Sequence, residues 1–200
     1  MALYWSAAGW IGTVLYLSSY GYLSVAPEPQ RSTYYGCSLV AAALVAVSSV
    51  YFRTWQSVLI NAFWCFVSYR ALLGRNLALG RFRAAVVTGS LAAITAAAGG
   101  TWWLSSFDAA ASVLAWGATV AFCAGYLLFA AQRIGRPAFL GYNLYAASAL
   151  LPRLVFDANW PVVALETAWA LISVAGLASR RWKPDPVEPE WALDQRRRRT

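Results

Sequence analysis

Seven membrane-spanning α-helices, set out as two parallel three-helix bundles with a linker helix between them, are expected from three features of the chain. Hydrophobic residues make up 60% of the 200 and charged residues only 12%. The charges avoid several apolar stretches of about twenty residues, the length a helix needs to cross a hydrocarbon core. One segment is also written twice, far apart in the chain. The apolar stretches do not alternate with polar residues, so barrel strands are excluded, and helices remain the way to satisfy backbone groups in lipid. A soluble domain of this size would leave too much continuous apolar surface uncovered.

The expected spans are 4–23, 34–52, 55–73, 84–104, 108–131, 137–156 and 160–179. The first begins at about Leu3 with no basic segment ahead of it, and reads as a retained span rather than a cleaved signal. Thr54, Asp108 and Asn159 stand where they can cap the third, fifth and seventh helices, and Pro161 suits a first turn. The fourth span, AAVVTGSLAAITAAAGGTWW, is rich in Ala and Gly, which favours close packing between the bundles over lipid exposure. Pro152 removes a backbone donor near the outer end of the sixth helix and is expected to kink it, making it the candidate gating position. Tyr4, Trp5, Tyr34, Tyr35, Tyr51, Trp55, Trp102, Trp103, Trp160 and Trp182 fit an interfacial belt.

Of sixteen Lys and Arg residues, only Arg53 and Arg153 fall on the side of the N-terminus. The positive-inside rule then puts the N-terminus outside and the C-terminus in the cytoplasm of a cell (inner) membrane. The net charge of +8 is accounted for by short loops and the tail, so it does not indicate a nucleic-acid partner. The tail, with spaced prolines and mixed charge, is expected to be disordered; its last four arginines lie near anionic headgroups, and it is a candidate dock for a protein partner or a second copy. The chain has no histidine, and Cys37, Cys65 and Cys123 sit in apolar stretches without CxxC spacing, so zinc, imidazole-ligated haem and His-based catalysis are not expected. No enzymatic motif and no cofactor site is read. Lys183, the single lysine, lies past the seventh span and cannot form a buried Schiff base.

The repeat pairs WQSVLINAFWCFVS (55–68) with WPVVALETAWALIS (160–173). Between 36–73 and 141–178 ten residues are identical at an offset of 105, including Trp55 with Trp160, Trp64 with Trp169 and Ser68 with Ser173. At an offset of 106, Trp10, Thr13, Val14 and Tyr20 match Trp116, Thr119, Val120 and Tyr126. A period of this kind marks one structural unit used twice. Three helices per unit is an odd number, so the fourth span is needed to bring the second copy back to the direction of the first. The organisation expected is a first three-helix repeat at 1–80, a linker helix at 81–106, a second repeat at 107–180 and a basic tail at 181–200.

GWIGTVLYLSSY (9–20) and Asn61 in the third helix resemble, on this 3+1+3 plan, the SWEET sugar transporters and the wider PQ-loop superfamily, built from parallel repeats. The family's Pro-Gln pair is absent near Ser19 and Tyr20; Pro29-Gln30 lies in the following loop. The same segments are similar to a small bacterial membrane domain with this three-helix unit. What the SWEET resemblance implies is transport of a small polar solute by rocking of two bundles around a site at their interface.

Within the repeat, Asn61 and Glu166 are counterparts, and Trp64 and Trp169 follow them by three residues on a similar face. Glu166 lies six residues past Trp160, about 9 Å into the hydrocarbon zone. An ionised carboxylate there costs several kcal/mol unless it meets water or a partner. It is expected to face an aqueous central cavity opposite Asn61, with Arg153 as the alternative, purely structural partner. Asn61, Trp64, Glu166 and Trp169 are therefore the candidate solute-binding residues, an amide or acid beside an indole presented twice for a sugar-like or amino-acid-like ligand. Helix packing by Asn61 and core filling by the tryptophans are the competing readings, and they go with a non-transporting subunit or scaffold.

Overall fold

A computed structural model describes residues 2–25, 30–74, 83–131 and 133–178. The tail at 181–200, including Trp182, lies outside the described residues, as do Arg75 and Arg81. Seven helices account for almost everything else: α1 (Ala2–Val25), α2 (Arg31–Tyr51), α3 (Trp55–Leu72), α4 (Ala84–Leu104), α5 (Phe107–Ala130), α6 (Arg136–Phe156) and α7 (Trp160–Ala178). Each matches an expected span to within a few residues. Four of them, in α2, α4, α5 and α7, are long and apolar enough to cross a membrane. Of the others, α1 buries Thr13 and Ser19 and α3 buries Gln56, Ser57, Asn61 and Ser68, while α6 carries Asn143 and Arg153 along its length. Such groups are compatible with a bilayer when they face protein rather than lipid.

In the first copy α2 packs between α1 and α3, and in the second α6 packs between α5 and α7. The two copies meet through α1 against α7 and α3 against α5. These contacts are each other's image when the copies are exchanged, as a pseudo-two-fold relation requires. The repeat is also visible in the backbone. Arg53 (φ 57°) and Ala158 (φ 52°), equivalent residues at the α2–α3 and α6–α7 corners, are the two non-glycine residues of positive φ among those described. Both corners close in the same way. Arg53 N–H donates to Val50 O and Thr54 N–H to Ser49 O, while Ala158 N–H donates to Val155 O and Asn159 N–H to Leu154 O. This paired bonding around a left-handed residue ends a helix and turns the chain sharply into the next.

Small residues allow the close approaches. Gly9 lies where α1 meets both α2 and α7, and a Cβ there would sit 2.5 Å from Ser48 Oγ and 3.0 Å from Pro161. Ala41, Ala42, Ala115, Ala118, Ala121, Ala146 and Ala147 are fully buried or nearly so.

Three expectations need correction. The fourth helix does not lie between the two copies: it packs against α5, with Thr88 and Thr95 hydrogen-bonded to Tyr142 and Tyr145 of α6 at 2.8 and 2.9 Å. Only Val87, Leu91 and Ala98 are buried, and its glycines 89, 99 and 100 meet nothing. Its small residues thus coat an open face. Second, the cap of α5 is Ser106, whose Oγ accepts from Ala109 N–H at 3.1 Å; Asp108 sits in the first turn. Third, Thr54 occupies the cap position of α3 without a side-chain cap bond, its hydroxyl being turned toward the other copy. Pro161 falls in the first turn of α7, and α6 continues through Pro152 to Phe156. The exposed rings of Tyr4, Tyr51, Trp55, Trp102, Trp103 and Trp160 suit an interfacial belt.

Candidate functional site

The seam between the copies is built from one helix face used twice. On α3, Ser57, Asn61, Trp64 and Ser68 recur at helical spacing and line one side; on α7 the equivalents are Val162, Glu166, Trp169 and Ser173. Asn61, Ser68, Glu166 and Ser173 are all buried. Buried polar groups of this density are costly unless satisfied, and the partners differ between the copies.

At the corner end of the seam, Asn159 Nδ2 donates to Ser49 Oγ at 3.3 Å and to Thr54 Oγ1 at 3.5 Å. Thr54 and Asn159 are counterparts in the repeat, so this contact lies on the pseudo-axis. Thr13 Oγ1 of α1 donates to Pro161 O of α7 at 2.9 Å, and Ser49 and Ser57 share a bond at 2.9 Å. Further in, Asn61 Nδ2 donates to Ser57 O at 2.9 Å, and its Oδ1 accepts from Tyr16 Oη at 3.2 Å. The asparagine is thereby held with its amide in a fixed orientation.

The two predicted tryptophans meet. Trp64 and Trp169 lie edge to face with centroids 6.1 Å apart. Trp169 also packs against Tyr16 (6.1 Å) and Phe122 (5.5 Å), and Trp64 against Tyr126 (4.9 Å). Edge-to-face pairs at these separations are favourable. Tyr16 joins two of the predicted residues, bonding Asn61 and packing on Trp169, and sequence reasoning did not single it out. The available signal was register: Tyr16 and Phe122 are both aromatic at the offset that matches Thr13 with Thr119.

Glu166 is 4% exposed, and its Oε2 is buried with no hydrogen-bond partner among the described residues; the same holds for Trp64 Nε1 and Ser68 Oγ. Arg153, the structural partner considered for Glu166, is engaged elsewhere. It grips Asp157 through Nη2 and Nε at 2.7 and 3.0 Å, and reaches Asp108 at 2.9 Å and Ser112 at 3.1 Å through Nη1. Pro152, one residue before Arg153, belongs to that end of α6 and is not part of the seam's polar line. Among the described residues no group of three His, Cys, Asp or Glu side chains comes together to hold a metal. Chemically, the seam offers a carboxyl oxygen, an indole N–H and a hydroxyl without partners among the described residues, beside an asparagine that has them. That set can donate to and accept from a small polar molecule.

A protein-family model matches the chain twice, over residues 5–78 and 111–184. No curated protein and no solved structure matches it.

Proposed function

Since the chain belongs to the family whose model it contains in two copies, we propose that it is a membrane carrier for a small polar solute, sugar-like or amino-acid-like. On this reading all seven helices span a cell (inner) membrane with the N-terminus outside, as two parallel bundles joined by α4, and the bundles rock about the seam to alternate access. The observation that carries the proposal is the set of buried polar atoms on the facing sides of α3 and α7 that have no partner among the described residues, Glu166 Oε2, Trp64 Nε1 and Ser68 Oγ. A native fold leaves few such groups, and each calls for an explanation. A solute lodged between α3 and α7 supplies one, with Glu166 and Trp64 bonding it and Asn61 and Trp169 shaping its place.

The test is solvent access at position 166. Glu166→Cys is made with Cys37, Cys65 and Cys123 replaced, and a membrane-impermeant thiol reagent is applied from each side. Labelling that candidate solutes suppress supports the carrier and reports the solute class. An inserted, folded protein that is never labelled rejects it in favour of the second reading, a non-transporting subunit or scaffold. The ring packing of Tyr16, Phe122, Tyr126 and the two tryptophans favours that second reading, because it fills the seam with protein.

A further inference from the structure

Asn61 and Glu166 hold equivalent places in the two copies, and the repeat makes each a control for the other. Asn61 is met by two residues of its own copy. Tyr16 Oη donates to its Oδ1 at 3.2 Å, and its Nδ2 donates to Ser57 O at 2.9 Å and to Ser57 Oγ at 3.3 Å. In the second copy the counterparts of Tyr16 and Ser57 are Phe122 and Val162, so both hydroxyls are lost. The acid stands where the polar side chains around its counterpart are hydrocarbon.

No charge from a neighbouring helix takes their place. Among the described residues α1 carries no charged side chain; it brings Tyr16 within electrostatic reach of Glu166, and the Tyr16 hydroxyl is already given to Asn61. On α3, Cys65 Sγ donates to Leu39 O at 3.9 Å, and Arg70 lies over the Phe66 ring at 5.9 Å. From α5 come the thiol of Cys123 and the phenol of Tyr126, which packs on Trp64; Asp108 at its start is held by Arg153. On α6, Arg136 is the first residue, Arg153 also grips Asp157, and Tyr142 and Tyr145 bond the threonines of α4.

The seam is also shut on both sides of the acid. One turn on, Trp169 meets a ring from each of three helices: Tyr16 of α1, Trp64 of α3 and Phe122 of α5. Toward the corners, Ile60, Val162 and Leu165 are buried and Asn159 reaches Thr54. A carboxylate keeps its charge in such a place only if water, a cation or a donor supports it. A proton needs no cavity.

We propose that Glu166 is a proton-binding site: the closed seam takes up one proton on the carboxylate, and opening, which brings water to the acid, releases it. Proton binding and closure then favour each other to the same extent. On the carrier reading, on which this use rests, the proton is the co-substrate that moves with or against the solute.

Two measurements on the full chain test the proposal. In infrared spectra at neutral pH, the parent protein is expected to show the C=O stretch of a protonated carboxyl, shifted in heavy water and absent from Glu166→Gln. Without that band the proposal falls. Next, Ser173→Cys, two turns beyond Glu166 on the same face, is made with Cys37, Cys65 and Cys123 replaced. Its alkylation by a water-soluble reagent is compared across pH with the same protein carrying Glu166→Gln, and the ratio of rates cancels the titration of the thiol itself. The ratio is expected to be near one in acid and to rise by roughly tenfold or more in alkali, as Glu166 gives up its proton and the seam opens. A ratio that stays near one overturns the proposal even with the band present, because the acid is then a static part of the core. Where Glu166→Gln does not fold, Trp103→Cys at the exposed end of α4 is the reference thiol. The band and the labelling are then expected to change over one pH range, and separate ranges overturn the proposal. The carrier reading fails independently: pH-dependent opening that no solute affects keeps the proton site and removes the carrier. Labelling at position 166 that solutes suppress, with a ratio fixed near one, does the reverse.

Discussion

Two left-handed residues without glycine's freedom sit at the corners of this molecule. A side chain in this conformation costs roughly 1 kcal/mol, which glycine avoids. Arg53→Gly and Ala158→Gly are each expected to stabilise the protein by about 1 kcal/mol in detergent unfolding, and a loss of stability would contradict the corner geometry. Arg153 works in the opposite direction. It compensates Asp157, whose side chain is only 8% exposed, and ties the end of α6 to the start of α5. Arg153→Ala should cost about 2 kcal/mol, the range for charged hydrogen bonds, most of it from the aspartate left behind. Glu166 carries the sharpest contrast between the two functional readings. If its unpartnered oxygen exists for a solute, Glu166→Leu removes a buried unsatisfied group and raises stability by about 1–3 kcal/mol while abolishing uptake. A destabilised Glu166→Leu protein would instead mark the carboxyl as a structural element.

Between helices, the fold depends on side chains that are small in one copy because the partner is large. Gly125 accommodates Tyr142, so Gly125→Ala is expected to cost about 1–3 kcal/mol through overpacking, measured by thermal unfolding. The same change at the exposed glycines 99 and 100 of α4 should cost nothing measurable or stabilise the helix slightly. Helix positions were legible in the sequence because apolar length and loop charge are local signals. The pairing of Trp64 with Trp169 was legible through the repeat, since equivalent residues on one face tend to meet near a pseudo-axis. The place of α4 was not: its Ala and Gly content is equally compatible with a tight interface and with a plain lipid-facing surface. What decides it is Tyr142 and Tyr145 reaching up from α6 to its threonines, a long-range match that no local pattern announces. Tyr16 was missed for a related reason. Its role arises only once α1, α3 and α7 converge, and its hydroxyl has no counterpart in Phe122. The Thr54 and Asn159 positions were identified as helix starts, but their side chains serve each other rather than their own helices.

For the whole molecule, the interface between copies is built of reciprocal contacts, α1 on α7 and α3 on α5. Coupling across it should be measurable: a double-mutant cycle of Trp64→Ala and Trp169→Ala is expected to give an interaction of about 1 kcal/mol, and a value of zero would place the two rings apart. The Thr54–Asn159 contact has a mechanical meaning for this interface. It joins equivalent points of the two halves at one end of the seam, so a motion that preserves it leaves that end closed and acts as a hinge there. Ser68 and Ser173 lie fourteen residues farther along α3 and α7, about 21 Å away at helical rise. With a lever of that length, a tilt of a few degrees at the hinge becomes an opening of an ångström or two at the far end. On the proposed rocking motion, the α2–α3 and α6–α7 corners would be the fixed end of the seam, and Ser68 and Ser173 would mark the moving end.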